Sequence, residues 1–325
     1  MIFFSYISTI IGIGFLILIH ELGHFIFCKL FNIPVAAFKI GRGPELFSKN
    51  IGETTYSLGV LPLGGYVAVG ESNNHEKEVN LLNEKPLYQG ILVILGGILN
   101  NIIFAYIVIT FVTVFHSDSI PTTPLKNFIP QTSITLKHGE ETLNADYRSV
   151  YELFSSIEKG KKLKIKNEES PRIISLEEFK KSYIIENGNF SSSKTLLSRI
   201  GQGIILTTSA IKTTMLGLIT SLCSVNFKNF SGPVGIIKTC STAAQQGTPI
   251  FLIFLALISI SLAILNLLPI PIVDGGQLLL LLVRKLYKKD LPESFQAFLT
   301  YGSFAILGII TLYSTYNDII RYIFN

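Results

Sequence analysis

The chain has 325 residues, of which 48% are apolar and only 15% are charged, and its formal net charge is +5. A soluble domain carries about 25% charged residues, so this composition excludes an ordinary soluble protein and indicates a membrane protein. Lys and Arg form no dense stripe, and we predict no nucleic-acid partner. Three cysteines without metal-ligand spacing give no indication of a disulfide scaffold.

The first predicted element is a membrane helix at roughly residues 2–28. Its only formally charged side chain is Glu21, and the stretch is long enough to cross a bilayer. No Lys or Arg precedes the apolar run and no small-residue cleavage site follows it, so we expect a retained helix rather than a signal peptide. An ionisable group in such a stretch is costly and therefore indicates function.

A polar loop at 29–85 follows the first helix and contains the stretch TTYSLGVLPLGGYVAVG at 54–70. Its Tyr, Val and Leu residues with glycine breaks predict a membrane-associated β-hairpin or small sheet. A second, uncharged span runs from Gly90 to Phe115. The polar segment at 116–199, which is rich in Lys and Glu, has the length of one small extracytoplasmic α+β domain.

Residues 200–222 are apolar but carry Lys212 in the middle. This pattern favours an amphipathic helix at the membrane surface over a further span.

The third predicted span lies between Lys238 and Arg284, where the only charged residue is Asp274. The sequence NLLPIPIVDGG at 266–276 interrupts this stretch, because its prolines remove backbone donors. A broken backbone at membrane depth is tolerated only where protein buries it or where it lines a cavity. The interruption therefore predicts a functional site.

The fourth span covers about 294–317 and is again uncharged. The predicted fold is thus an α-helical polytopic membrane protein with about four transmembrane helices. We divide it into a first membrane half (1–115), an extracytoplasmic insert (116–199) and a second membrane half (200–325).

Basic residues are concentrated in the loop at 29–85 and in the loop after the third span, at 284–289. Short loops rich in Lys and Arg face the cytoplasm. The two loops are therefore predicted to be cytoplasmic, with both termini and the insert on the opposite side.

The sequence HELGH places His20 and His24 four residues apart, on one face of a helix and about 6 Å apart in height. Two imidazoles so placed reach one tetrahedral metal, and Glu21 lies beside them without being a ligand. This is the H-E-x-x-H pattern of zinc hydrolases. It predicts a Zn²⁺ cofactor that polarises water and a glutamate that accepts the proton of that water.

A catalytic zinc site has three protein ligands and one open position. We predict Asp274 as the third ligand because it is the only charge in the third apolar stretch and follows the proline break. The alternative for Asp274 is a turn residue before Gly-Gly. His75, His116 and His138 lie in polar segments and are interpreted as ordinary surface histidines.

HELGH together with NLLPIPIVDGG resembles the site-2 protease family of intramembrane zinc metalloproteases, in particular the bacterial regulator-of-sigma-E protease group. Four further segments resemble stretches of those proteins in the same order: FKIGRGPELF (38–47), LPLGGYV (61–67), LGGILNNIIFA (95–105) and FSGPVGI (230–236). The resemblance covers most of the chain outside the polar insert, where relatives carry PDZ domains. It implies one PDZ-like domain at 116–199.

The resemblance also implies site residues. His20, His24 and Asp274 would be the zinc ligands, and Glu21 the general base. Asn266 would hold the substrate backbone or the developing oxyanion; the alternative is an asparagine that satisfies the kinked backbone. A strand edge would clamp an unwound substrate as an added strand, and it contains Leu63, Gly64, Gly65 and Tyr66. The alternative for this edge is a plain structural hairpin.

The predicted function is regulated intramembrane proteolysis by a zinc endopeptidase. Its partners would be the lipid bilayer and single-span membrane proteins already trimmed by another protease, such as an anti-sigma factor, or signal-peptide remnants. We expect it in the bacterial inner membrane with its active site toward the cytoplasm. Two alternatives stay open: another membrane H-E-x-x-H protease with a glutamate as third ligand, and a non-proteolytic metal-binding, transport or scaffold protein.

Overall fold

The computed structural model describes residues 2–70, 82, 84–116, 195–224, 232–287 and 292–323, together with five short strands between 133 and 186. The chain is mainly helical, with two long strands, β1 (Val35–Ile51) and β2 (Thr54–Val69), after the first helix. The helices are α1 (Ile2–Leu30), α2 (Leu87–Phe115), α3 (Leu196–Ser224), α4 (Pro233–Gln246), α5 (Thr248–Asn266), α6 (Asp274–Tyr287) and α7 (Glu293–Ile323).

Five of the described helices, α1, α2, α3, α5 and α7, are long and apolar enough to cross a membrane. The predicted helical membrane protein is thereby confirmed, but the predicted count of four spans is too low. The additional candidate is α3, which contains the segment 200–222 that the sequence analysis placed on the membrane surface.

Helix α3 packs along α2 in the opposite direction. The Arg199 guanidinium donates a hydrogen bond to the Val114 carbonyl at 2.9 Å, and the hydroxyls of Tyr106 and Thr208 are 2.9 Å apart. Residue numbers therefore rise along α3 as they fall along α2. Lys212 is exposed, so its charge stays out of this helix interface, and the single lysine that suggested a surface helix does not prevent packing within the bundle.

The core of the bundle lies between α2, α3 and α5. Its buried members are mostly small or branched aliphatic side chains, namely Ala105, Val108, Ile109, Val112, Ala210, Leu218, Ile253, Ala256, Leu257, Ile260 and Ile264. Close van der Waals packing and interhelical hydrogen bonds hold helices together in lipid. The Ser259 hydroxyl supplies one such bond, donating to the Asn101 carbonyl at 3.0 Å. This contact fixes α5 against α2 close to the site described below.

The strands β1 and β2 form a two-stranded antiparallel sheet. Their pairing runs from Val35 opposite Val69 to Ile51 opposite Thr54. The predicted β-structure at 54–70 is therefore confirmed as half of a small sheet, and the other half is the segment before it. Gly52 in the connecting turn has a φ of 62°, a conformation that glycine adopts without strain.

The described strands of the insert are β3 (Ser133–His138), β4 (Glu141–Asp146), β5 (Leu163–Ile165), β6 (Arg172–Ile174) and β7 (Ile184–Glu186). They form a three-stranded sheet in the order β4–β3–β7 and a separate β5–β6 pair. The rest of the insert lies outside the described residues, and these strands do not confirm the predicted PDZ-like fold.

Helix α7 is the least buried of the five candidate spans. Near its end, the carboxylate of Asp318 accepts a 2.7 Å hydrogen bond from the backbone N–H of Gly235, in the first turn of α4. A carboxylate at a helix N-terminus is stabilised by the unpaired N–H groups there. Asp318 is 1% exposed, so this buried contact ties α7 to the remainder of the bundle.

Candidate metal centre

His20 and His24 lie one turn apart near the end of α1. Their Nε2 atoms are 3.3 Å from each other, so both rings direct the same nitrogen to one point. The four-residue spacing of the two histidines thus brings their Nε2 atoms together, as the sequence predicted.

Asp274 completes this convergence from the other half of the chain. Its Oδ2 lies 3.2 Å from Nε2 of His20 and 3.6 Å from Nε2 of His24. The same oxygen is buried and has no hydrogen-bond partner among the described residues. A buried carboxylate oxygen without a donor is costly, and a cation shared with the two imidazoles removes that cost.

The three residues form the one group of three potential metal ligands found in the described part of the chain. Their ligand atoms all lie within 4.8 Å of one another. Two imidazole nitrogens and one carboxylate oxygen are donors that zinc prefers, and three protein ligands leave the fourth tetrahedral position open. The donor set therefore fits a catalytic zinc ion.

The proline break explains how Asp274 reaches α1. Helix α5 ends at Asn266, and α6 begins at Asp274 itself. The two following glycines allow a close approach, because a β-carbon on Gly275 would collide with the Leu267 carbonyl and one on Gly276 with the Ile270 carbonyl. The Asp-Gly-Gly sequence thus consists of a potential metal ligand and the two residues that let its helix pack against the loop.

Helix α2 holds both imidazoles in place. Nδ1 of His24 lies 2.8 Å from the Val93 carbonyl, which can only accept, so Nδ1 carries the proton and Nε2 keeps its lone pair. Nδ1 of His20 faces the side-chain amide of Asn101 at 3.3 Å. Asn101 is completely buried and its Oδ1 has no partner among the described residues. The atom placed at 3.3 Å is Nδ2, but the assignment of N and O in such an amide follows from its neighbours. With the two atoms exchanged, Oδ1 would accept from Nδ1 of His20 and give that ring the same tautomer as His24.

Glycines bring α1 and α2 together at this level. A β-carbon on Gly23 would collide with the backbone of Gly96, and one on Gly96 with the backbone of Gly23. A β-carbon on Gly97 would stand 2.5 Å from Nε2 of His24 and 2.6 Å from Cε1 of His20. These glycines let the backbone of α2 form the floor beneath the two rings.

Glu21 lines a cavity of about 550 Å³ together with the three potential ligands. It is 9% exposed. The opposite wall is strand β2, where a β-carbon on Gly65 would stand only 2.8 Å from Cγ of Glu21. The cavity thus has acidic and imidazole groups on the helical side, and Gly64 and Gly65 beside three side chains of β2, Tyr66, Val67 and Val69, on the strand side.

Most of the predicted site residues line this cavity. Asn266 lies with its Nδ2 3.3 Å from Nε2 of His20, and the remaining members are His20, Glu21, His24, Gly64, Gly65, Tyr66 and Asp274. The backbone of Leu63 belongs to β2, and its side chain lies outside the described residues.

No role at the site was predicted from the sequence for Asn101, Gly96, Gly97 or Gln277, although the first three lie in the segment LGGILNNIIFA. Gln277 lines the cavity, and its side-chain N–H donates to the Pro271 carbonyl at 2.7 Å. A usable signal was present for the others, because paired glycines and paired asparagines are unusual in a span that is otherwise aliphatic and aromatic.

The remaining histidines are dispersed. His116 is exposed, as the sequence predicted for it. His75 lies outside the described residues, and of His138 only the backbone, at the end of β3, is described.

Comparison with known proteins places the chain among metallopeptidases. The family model for peptidase family M50 matches residues 8–310. The chain is 31% identical over 336 residues to a Clostridium acetobutylicum protein named as a zinc metalloprotease, with 98% of each chain covered. It is 31% identical over 333 residues to a Clostridium perfringens protein of the same description, covering 97% of this chain and 98% of that one. A Helicobacter pylori relative, also named as a zinc metalloprotease, is 26% identical over 358 residues.

Proposed function

The chain belongs to peptidase family M50 and is an integral membrane zinc metalloprotease, and from this premise we propose that it cleaves peptide bonds within or just beneath the membrane segments of other proteins. One observation carries the proposal: the three converging ligand atoms and Glu21 share a cavity with the free edge of a strand. Membership in a peptidase family also favours this function over the alternative of a non-proteolytic metal transporter or scaffold.

We assign His20, His24 and Asp274 as the residues that hold zinc. The convergence of their Nε2 and Oδ2 atoms supports this assignment, as does the unpaired buried oxygen of Asp274. When bound, zinc supplies Lewis acidity that makes water a nucleophile near neutral pH.

We assign Glu21 as the general base. Its carboxylate accepts the proton of the attacking water and passes it to the leaving amine, a step that contributes about 10²- to 10⁴-fold to a hydrolysis rate. Asn266 acts on the substrate: its amide N–H is directed to the same point as the ligand atoms and donates to the carbonyl under attack. The 3.3 Å separation of its Nδ2 from His20 supports this role.

We assign the segment Leu63–Val67 of β2 as the substrate clamp. In the part of β2 from Gly65 onward, one edge pairs with the start of β1, and no strand pairs with the other edge among the described residues. A membrane segment in helical form has all its amides engaged, so it must unwind before water can attack, and an unwound backbone needs partners in a water-poor site. A strand added to the free edge of β2 obtains them.

The substrates we propose are single-span proteins whose outer portion has already been removed, such as an anti-sigma factor or a signal-peptide remnant. A protein of this kind can bring its membrane segment laterally to a cavity within a helix bundle. Residues 116–199 would form an extracytoplasmic PDZ-like domain between two membrane halves, 1–115 and 200–325, and would limit which proteins reach the cavity.

We propose that the active site lies toward the cytoplasmic side of a bacterial inner membrane. The two segments that carry the excess of basic residues meet where the last turn of α6 contacts the residues before α2, because the Lys285 ammonium donates to the Lys85 carbonyl at 2.9 Å. Lys and Arg accumulate on the cytoplasmic side of membrane proteins. The meeting of these segments supports the proposed orientation.

A cleavage assay with a metal count on the same samples tests the proposal. Wild type and Glu21→Gln are purified in detergent and offered a tagged single-span reporter with a short outer tail. We expect wild type to cut within the span, and Glu21→Gln to retain zinc while its cleavage rate falls by about 10²- to 10⁴-fold. Glu53→Gln, a change of an exposed glutamate in the turn between β1 and β2, is the matched control and should cut like wild type.

The outcomes separate the parts of the proposal. Full cleavage by Glu21→Gln contradicts the assignment of the base. Cleavage of only the soluble tail of the reporter contradicts an intramembrane substrate while leaving the metalloprotease activity intact.

A further inference from the structure

A basic side chain stands beside the clamp strand, and the backbone of β1 is shaped to put it there. Arg42 lies between Gly41 and Gly43, whose φ angles of 81° and 88° fall in the left-handed region. The pairing of β1 with β2 shifts register on both sides of Arg42. Bulges of this kind redirect a side chain and are frequent next to active sites.

The redirected side chain lies over Gly64. Nε of Arg42 is 3.1 Å from the point where a β-carbon on Gly64 would stand, and Cδ and Cζ are each 3.8 Å from that point. A side chain at position 64 would fill this space. Because glycine leaves it open, the Arg42 side chain lies directly against the backbone of β2 at this point.

Arg42 differs in its charge environment from its neighbour on β1. The ammonium of Lys39 forms a 3.0 Å ion pair with Glu45. Arg42 is exposed and has no carboxylate within 4.0 Å among the described residues. A guanidinium offers a planar fork of donors that matches a carboxylate, and this one stands beside Gly64 of the proposed clamp segment.

We propose that Arg42 is a specificity-determining residue that binds a carboxylate of the extended substrate, next to Gly64. The inference rests on the proposed function, because it requires a substrate strand on the free edge of β2. Neighbouring strands lie about 4.8 Å apart. A substrate residue that pairs opposite Gly64 would therefore lie about this distance from the glycine against which the Arg42 side chain packs. An Asp or Glu side chain on the same face of the sheet meets the guanidinium there, as does a free C-terminal carboxylate.

The test compares reporters that differ by one charge. The cut site of wild type is first mapped by mass spectrometry, and Asp, Asn or Lys is then placed at each of three positions on either side. A second set ends within this window with either a free carboxylate or an amide. Wild type should prefer the carboxylate over its neutral counterpart by at least about tenfold at one position, the factor expected of a charge-assisted hydrogen bond.

For each Arg42 variant, the measured quantity is the ratio of the cleavage rate on the charged reporter to the rate on the neutral reporter. We expect Arg42→Gln to bring this ratio close to one, and Arg42→Glu to prefer Lys over Asp at the same position. Lys49→Gln removes another exposed cation of β1 and should keep the wild-type ratio. Thermal melts of all variants in the same detergent identify any that are misfolded, and Arg42→Lys, which retains the charge, should keep part of the preference.

Binding provides a readout that does not depend on cleavage. Labelled reporters are titrated onto Glu21→Gln with and without Arg42→Gln, and the carboxylate should tighten binding only where Arg42 is present. A preference that persists in Arg42→Gln, or its absence from wild type in both assays, overturns the inference. An Arg42-dependent binding preference without any cleavage by wild type supports the inference and contradicts the proposed function instead.

Discussion

The two walls of the cavity are built in different ways. The helical wall carries His20, His24 and Asp274, and each of these side chains is held by contacts from a second helix or by a glycine that permits close packing. The strand wall presents Gly64 and Gly65, which have no side chains, beside the exposed ring of Tyr66.

The difference separates two requirements of the reaction. Chemistry needs a few atoms fixed to within fractions of an ångström, and buried helices with interlocking glycines meet that need. Recognition of many membrane sequences needs a surface that reads the peptide backbone and ignores most side chains, and a bare strand edge meets that need. Changes in the two walls should therefore fail in distinguishable ways.

The largest effect is expected from Asp274→Ala in the helical wall. Removal of a ligand should lower zinc affinity by more than the roughly 10- to 100-fold that loss of a ligand's supporting hydrogen bond costs, and cleavage should disappear with the metal. Zinc bound per chain, measured after dialysis against a metal buffer, checks this. Stoichiometric zinc in Asp274→Ala would show that another residue is the third ligand.

A change in the strand wall should lower cleavage without loss of zinc, in contrast to Asp274→Ala. Gly65→Val places a branched side chain where only 2.8 Å separates a β-carbon from Cγ of Glu21. Cleavage should fall by about 10²-fold or more, since a displacement of about 1 Å at a reacting group has that effect, while zinc content stays at the wild-type level. Val60→Ala, at an exposed position of the same strand, is the control. Loss of zinc in Gly65→Val would mean that the two walls are not independent.

The support of the helical wall is tested by Asn101→Leu. Removing the amide beside Nδ1 of His20 should lower zinc affinity by about 10- to 100-fold, measured by competition with a chelator of known affinity. Asn101→Asp retains an oxygen acceptor and should recover most of that affinity. If Asn101→Leu binds zinc as tightly as wild type, His20 is oriented by packing alone.

The smallest effect expected is on stability, from Gly23→Ala. A methyl group at this contact must separate α1 from the backbone of Gly96, and overpacking of this kind costs about 1–3 kcal/mol. Gly302→Ala is the matched control, because a β-carbon there meets no atom within 4 Å and alanine favours a helix by about 1 kcal/mol over glycine. Thermal melts in detergent should show opposite shifts, and a Gly23→Ala protein as stable as wild type would contradict the close helix contact.

The sequence was most informative where the chemistry is local or where a charge stands out. His20, Glu21 and His24 lie within little more than one helical turn, so their spacing alone predicts their convergence. Asp274 is far away in the chain, yet a lone carboxylate in an apolar stretch is costly enough to indicate a function. Both inferences needed no knowledge of how the helices pack.

Other features depend on packing and were not visible in the same way. Asn101 meets His20 across 81 positions of sequence, and the role of Gly96 exists only opposite Gly23. Lys212 made α3 look like a surface helix, because a single lysine lowers apolarity without showing which face of the helix is buried. The pairing of β2 with the strand before it was also not predicted, although only the two residues of the turn at Gly52 separate the two strands.

The oxygen of Asp274 that has no hydrogen-bond partner among the described residues bears on the net charge of the proposed metal centre. His24 directs its Nδ1 to the Val93 carbonyl and His20 directs its Nδ1 to the Asn101 amide, and an imidazole that binds a metal through Nε2 in this arrangement carries no charge. A divalent cation at the proposed centre would offset the negative charges that the carboxylates of Asp274 and Glu21 carry when they are ionised. A loaded centre has no net charge, and an uncharged centre is the form that a low-dielectric membrane interior tolerates best. Binding of the metal would thereby reduce the cost of holding these charged groups within the lipid bilayer, in addition to activating water.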